Sequence, residues 1–270
     1  MINSTKELST AIRRETIKMI YQSKSSHIGG CFSIVDILAV LYDGILRKNP
    51  NDSDWKLRDR FLLSKGHACA ALYSTLAIKG YYDIQDLDKY CKDGSLFLAH
   101  ASHKIPGVEL STGSLGHALP YGCGLAVAAK RKGESWRVFV LLSDGELDEG
   151  SNWEAMLFAP QHQLDNLIVI VDYNKIQSFG DVKDVIDLHP LKNKLEAFNW
   201  SVVEIDGHNI EQIKQSLSIL PNVIKKPTVI IANTVKGKGV DFMEQKLLWH
   251  YKSPSESEYH MALEQINSRI

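Results

Sequence analysis

Two continuous apolar runs, residues 138–142 and 167–171, stand out along the chain. Uninterrupted runs of this length mark strands buried on both faces of a parallel sheet; a half-solvated strand would alternate. Between them lies a helix signal. Ser151 is a candidate N-cap with Glu154 in the capping-box position, Trp153, Ala155, Met156, Leu157 and Ala159 are apolar, and Pro160 is expected to end the helix soon after. Parallel strands joined through a helix cross over right-handed, so this is one strand–helix–strand unit. A second such unit covers residues 202–205, a helix over 209–220, and a strand over 228–233. The short run F-L-L before S-K-G-H-A adds a strand followed by a small-residue helix. The expected fold class is α/β, a parallel central sheet flanked by helices, with residues 1–270 as a single domain.

The rest of the pattern is helical or irregular. Residues 6–22 carry Leu8, Ile12, Met19 and Ile20 on one face of an amphipathic helix. S-K-S-S-H-I-G-G breaks it and is expected to deliver His27 on a flexible loop. A second helix is expected to start near Ser33, with Asp36 in its capping box and Ile34, Ile37, Leu38, Leu41 and Ile45 buried. A short helix is expected over 82–92. The Gly, Ser and Thr density of residues 98–124 means loop and close backbone packing. A Gly/Ala-rich helix over 121–132 follows, suited to packing on the sheet or on a neighbouring subunit, and a short helix closes the chain. No repeat, low-complexity stretch or linker divides it.

Composition changes this picture little. At 270 residues, 44% hydrophobic and 23% charged, the chain can bury a sizeable core. Thirty-one basic against thirty-two acidic residues argue against nucleic acid or a membrane as partner. Cys31, Cys69, Cys91 and Cys123 show no C-x-x-C spacing and read as reduced thiols. With no apolar leader or spanning run, the expectation is a cytoplasmic protein.

The candidate chemistry sits where the two longest strands end. Asp144, in S-D-G-E, and Asn174, in D-Y-N, fall just past the carboxyl ends of parallel strands, the place where open α/β sheets bind ligands. Two hard oxygen donors with nearby carbonyls make a half-shell for Mg²⁺ that leaves places for water and phosphate oxygens. Gly145 leaves room for a diphosphate to approach the backbone. Both residues are also ordinary turn formers, and the turn chemistry alone leaves the two readings open.

The motif D-G-E-L-D-E-G-S-N-W-E followed by Asn about thirty positions later resembles the thiamine-diphosphate motif of the transketolase family. With K-G-K-G and W-H-Y-K-S-P, the likeness covers residues 27–254. It is most similar to the N-terminal half of such an enzyme, as found in split, two-chain transketolases. The resemblance implies Mg²⁺ on Asp144, Asn174 and the carbonyl of Ile176. It implies cofactor contacts from His67, Gly113, Leu115, Gly145, Asn174 and His250. It implies sugar-handling by His27, His100 and His250, with His103 as rival to His100, and a link between active sites through Glu149. His117 stands where the family has glutamine and receives no role. Ser143 replaces a usual glycine, and Ser178 replaces an apolar residue that packs on the thiazolium. The implied partners are sugar substrates and a C-terminal subunit holding the pyrimidine half, assembled as an α2β2 heterotetramer. Another thiamine enzyme half, such as a 1-deoxyxylulose-phosphate synthase, is the alternative within the class; a non-catalytic Mg-diphosphate-binding module is the alternative outside it. His162, His189, His208 and His260 match nothing and are expected to be structural or solvated.

Overall fold

The structure, a computed structural model, describes Ile2 and residues 4–268. Its helices are α1 (Thr5–Ser23), α2 (Ile28–Phe32), α3 (Val35–Val40), α4 (Cys69–Ile78), α5 (Ala118–Lys132), α6 (Gly150–Gln161), α7 (Val182–Val185), α8 (Leu191–Ala197), α9 (Ile210–Ser218) and α10 (Glu256–Ser268). The strands are β1 (Arg60–Leu63), β2 (Val138–Ser143), β3 (Leu167–Tyr173), β4 (Ser201–Asp206) and β5 (Thr228–Asn233). They form one sheet in the order β1-β2-β3-β5-β4, parallel at every pairing. The expected fold class is the observed one.

Alternate strand residues face opposite sides, and each side has its own core. Phe139, Leu141, Ile168, Ile170 and Ile230 pack on α1, α3 and α4, whereas Val138, Val140, Leu142, Val169 and Ile231 pack on α5 and α6. Both faces are therefore covered, which is why the strands read as unbroken apolar runs. Gly122 of α5 rests on β2, where an added Cβ would lie 2.8 Å from Val140 Cγ2. The registers bring the central strands to their carboxyl ends in step, with Ser143 beside Asp172 and Asp172 beside Ala232.

Several expected helix boundaries are corrected. Helix already begins at Ile28, because His27 adopts φ +74° and its backbone N–H is pinned by His250 O at 3.0 Å. His27 is therefore held at a helix start, not on a flexible loop. Asp36 does not cap the second helix, since Arg13 and His208 occupy its carboxylate; α3 instead runs on into a wider turn over Leu41–Ile45. The segment expected as a helix over 82–92 is a 3-10 turn, Ile84–Lys89, capped by Asp83. Helix α5 starts at Ala118, earlier than expected, with Pro120 in its first turn where no amide bond is lost.

The capping box at Ser151 does not form. Glu149 is the cap residue of α6, and Ser151 Oγ donates instead to Gly116 O at 2.7 Å. Pro160 lies in the last turn of α6, which ends one residue later at Gln161, as expected. A proline leaves the carbonyl four residues earlier without its amide partner. That carbonyl, Met156 O, accepts from Trp200 Nε1 at 2.8 Å, so the deficit is made good from outside the helix. Among the described residues no helix is long and apolar enough to cross a membrane.

Candidate functional site

The turns after β1, β2, β3 and β5 converge on a cleft of about 400 Å³. Its walls include His27, His67, His100, Gly113, Leu115, Asp144, Gly145, Glu149, Asn174, Ile176 and His250, so the structure brings every expected site residue to one place. Ser143 and Ser178 line it too, and the Ser178 carbonyl accepts from Tyr251 OH at 2.7 Å.

The oxygen donors lie on the β2 and β3 turns. Asp144 Oδ1 accepts from Gly145 N at 2.7 Å and Oδ2 from Lys175 N at 2.5 Å, which holds the carboxylate across the two turns. Asn174 Oδ1 accepts from Ile176 N at 3.2 Å, and its amide donates to Asp172 Oδ2 at 2.9 Å. Ile176 O accepts from Lys236 Nζ at 2.7 Å, which leaves the carbonyl one lone pair. A carboxylate, an amide oxygen and a carbonyl make a hard donor set suited to Mg²⁺, with further places left for phosphate and water. Burial, and then the charge of Asp172, raise the Asp144 carboxyl to about 6, the condition of a buried anion in need of a cation. These residues fit the expected metal.

Four histidine rings gather beside these donors. His27 lies 5.1 Å from His67, 6.1 Å from His100 and 5.0 Å from His250, centroid to centroid. Burial first, then His100, Lys236 and Lys65, lower His27 to about 4. Burial, then Lys236, His27 and Lys65, lower His250 to about 3. His67 is pushed well down by burial and by Lys65. These three rings are neutral near pH 7. His250 Nδ1 takes a hydrogen bond from Lys236 Nζ at 3.0 Å, so its other nitrogen carries the proton.

His100 and His103, rivals from sequence, are separated by the structure. The His100 ring packs over Gly113, where an added Cβ would lie 3.0 Å from its Cδ2. His103 is exposed, does not line the cleft, and pairs with Ser111 Oγ at 2.7 Å. His117 is exposed at the cap of α5 with its ring on Leu115 O. Glu149 is exposed at the cleft rim beside Gly116, facing away from the core.

Sequence reasoning missed the buried charges under the cleft. Lys65, 1% exposed, donates to Asp172 Oδ2 at 2.5 Å and to Gly30 O at 3.0 Å. Glu146, wholly buried, accepts from Gly116 N at 2.8 Å, Ser143 N at 3.3 Å and Ser64 Oγ. One carboxylate thus joins the ends of β1 and β2 to the S-T-G-S-L-G loop. Lys236, 3% exposed, is lowered to about 8 by burial and then by Lys65. For Lys65 and its partner Asp172 the available signal was a charged residue within two places of the end of a buried run, as in F-L-L-S-K and I-V-I-V-D.

A parallel sheet that presents oxygen donors, two ammonium groups and neutral histidines at its carboxyl edge is built to receive an anionic ligand with a metal. The family described as transketolase, thiamine diphosphate binding domain, matches residues 4–256, and the chain belongs to the transketolase family. It is 45% identical over 259 residues to an apulose-4-phosphate transketolase subunit of Actinobacillus succinogenes, covering 95% of this chain and 93% of that one. It is 38% identical over 256 residues to the 6-deoxy-6-sulfo-D-fructose transketolase subunit SqwG of a Clostridium species, covering 94% and 93%. The crystal structure of transketolase from Campylobacter jejuni superposes with a TM-score of 0.92 at 33% identity, over 97% of this chain. This chain spans only 42% of that enzyme.

Proposed function

We propose that this chain, as one domain, is the diphosphate-binding subunit of a two-chain, Mg²⁺-dependent transketolase that moves a two-carbon ketol unit from a ketose to an aldose. One observation carries the reading: two buried ammonium groups, Lys65 and Lys236, share one cleft with the hard oxygen donors Asp144, Asn174 and Ile176 O. Burial first, and then neighbouring charges that include Lys65 and Lys236, hold His27, His67 and His250 in their neutral forms. A diphosphate chelating Mg²⁺ would satisfy both the cationic groups and the Asp144 carboxylate.

In this reading Asp144, Asn174 and the Ile176 carbonyl hold the metal. Gly145, His67, Gly113 and Leu115 contact the cofactor, together with Asn174 and His250. Thiamine diphosphate, when bound, supplies the carbanion and electron sink for carbon–carbon cleavage. His27, His100 and His250 bind sugar hydroxyls and move protons on them, and the neutral imidazoles of His27 and His250 are suited as acceptors. Glu149, at the rim, faces the neighbouring protomer and links the active sites.

The partner is a C-terminal transketolase subunit that holds the pyrimidine end, in an α2β2 assembly. The relatives whose names make them subunits match almost the whole of this chain, while the solved transketolases are more than twice as long. Four free thiols support a cytoplasmic setting. The test is two-carbon transfer with Mg²⁺ and thiamine diphosphate, with and without the companion chain. Activity is expected only in the pair; substantial transfer by this chain alone would overturn the two-chain reading.

A further inference from the structure

Lys236 reaches into the cleft from a strap, residues 234–239, that follows β5. Its ammonium touches Ile176 O and His250 Nδ1, so the course of the strap decides where that charge sits. Three side chains outside the cleft fix that course. His208 Nε2 accepts from Val235 N at 2.8 Å, directly before Lys236. Arg13 Nε donates to Lys238 O at 3.1 Å, two residues after it. Both side chains grip one carboxylate. Arg13 meets Asp36 through two bonds of 3.0 and 2.7 Å, and His208 Nδ1 lies 2.8 Å from Asp36 Oδ2.

The hydrogen-bond chemistry admits one arrangement. A ring nitrogen that receives an amide N–H must present a lone pair, so Nε2 is bare. Nδ1 then carries the proton and donates it to Asp36. Burial would keep Asp36 protonated, but Arg13 and His208 outweigh it and hold the carboxyl far below its usual range. Each nitrogen of His208 thus has one partner, and the anchor behind it is itself held by a bidentate arginine. Gly239, at φ +102°, lets the strap pass close to the Arg13 stem, which would lie 3.1 Å from an added Cβ.

We propose that Asp36, Arg13 and His208 form a clamp that positions Lys236 in the cleft, with His208 acting through the Val235 amide as a positioning residue for ketol transfer. The proposal rests on the function proposed above for its catalytic consequence, though not for its geometry. It gives a role to a histidine that the sequence pattern left unassigned. The clamp borders a cavity of about 290 Å³, so a different side chain at 208 can remove a bond without emptying a packed volume.

Two substitutions separate positioning from packing. In His208→Gln the side-chain oxygen can still accept from Val235 N; in His208→Asn a donor toward Asp36 remains but the chain ends short of Val235. Three quantities are read in each: hydrogen exchange of the Val235 amide in the chain alone, affinity for thiamine diphosphate with Mg²⁺, and kcat/KM in the presence of the companion chain. The expectation is that His208→Asn speeds Val235 exchange and weakens cofactor affinity and kcat/KM, each by roughly fivefold to tenfold, the scale of one lost hydrogen bond. His208→Gln, which loses only its tie to Asp36, should lose clearly less than the Asn variant, staying within about threefold of the parent on all three. Unchanged exchange in the Asn variant, or equal losses in both variants, would overturn the clamp. If the parent pair shows no ketol transfer, the proposed function fails while the exchange and affinity results still judge the clamp.

Discussion

Lys65 Nζ lies 2.5 Å from Asp172 Oδ2, and neither side chain is more than 1% exposed. The same oxygen accepts from Ser33 Oγ at 2.7 Å and Asn174 Nδ2 at 2.9 Å, and the other oxygen accepts from Thr234 Oγ1. One carboxylate at the end of β3 therefore ties together the segment between α2 and α3, the turn after β1 and the strap after β5. Burial acts to raise its pKa, but the charge and hydrogen bond of Lys65, with those of Thr234 and Ser33, hold it below the usual value. It is an anion at neutral pH.

Removing that anion while leaving its partner should be severe. Asp172→Asn leaves the Lys65 ammonium buried without a counter-charge, and breaking a buried pair in this way costs roughly 3–5 kcal/mol. Urea unfolding of the chain alone measures it. A loss below about 1 kcal/mol, the scale of an exposed pair, would contradict the account. Because the folded-state pKa is depressed, this stabilisation is present above the unfolded value and is lost as pH falls through the folded one.

Asp144 has the opposite sign. Burial, then the charge of Asp172, raise it to about 6 from 3.8. The folded chain without metal keeps a proton there that the unfolded chain has lost, so stability falls as pH rises between those values, by up to about 3 kcal/mol. Cation binding needs the ionised form. Affinity for Mg²⁺ with thiamine diphosphate should therefore rise with pH through about 6 and release a proton below it. Calorimetry at about pH 5.5, just below that range, in two buffers of different ionisation heat reads that proton. Asp144→Ala should abolish binding, whereas Asp165→Ala, which loses an ion pair with Lys130 at 2.5 Å far from the cleft, should not. Binding without proton release, or unchanged affinity in the Asp144 variant, would sink the assignment.

The two neighbouring histidines of the L-A-H-A-S-H loop should part company in kinetics. His100→Ala is expected to lower kcat/KM of the paired subunits about a hundredfold, within the range for a lost proton-transfer group. Cofactor affinity should be nearly intact, the mark of interactions made with the reacting sugar. His103→Ala should fall within about threefold of the parent, since that ring serves an exposed contact with Ser111. The reverse pattern would move the sugar site to the outer end of the loop.

The sheet was legible because parallel strands covered on both faces have to be apolar throughout, as residues 138–142 and 167–171 are. Helix starts were less so. Ser151 and Asp36 have the residue types of local capping, yet Gly116 and the Arg13–His208 pair take their side chains from far along the chain. The positions gathered in the cleft were legible because turn residues and histidines stand in short motifs. The charges beneath it were not: Lys65 meets Asp172 across 107 positions, and Asp36 meets His208 across 172. Local spacing carries no trace of such contacts. His208 shows the same limit, since its meaning lies wholly in what it touches.

The matched ends of β2, β3 and β5 carry a consequence for how this chain can change in length. Ser143, Asp172 and Ala232 stand side by side, so the turns bearing Asp144, Asn174 and the strap to Lys236 leave the sheet at one level. Deleting one residue within a strand would draw its turn back by about 3.3 Å and send every following side chain to the opposite core. Deletions in the surface connection between α9 and β5 would do neither. A library of single-residue deletions should therefore divide sharply, with tolerated lengths confined to such connections and the lengths of β2, β3 and β5 held fixed.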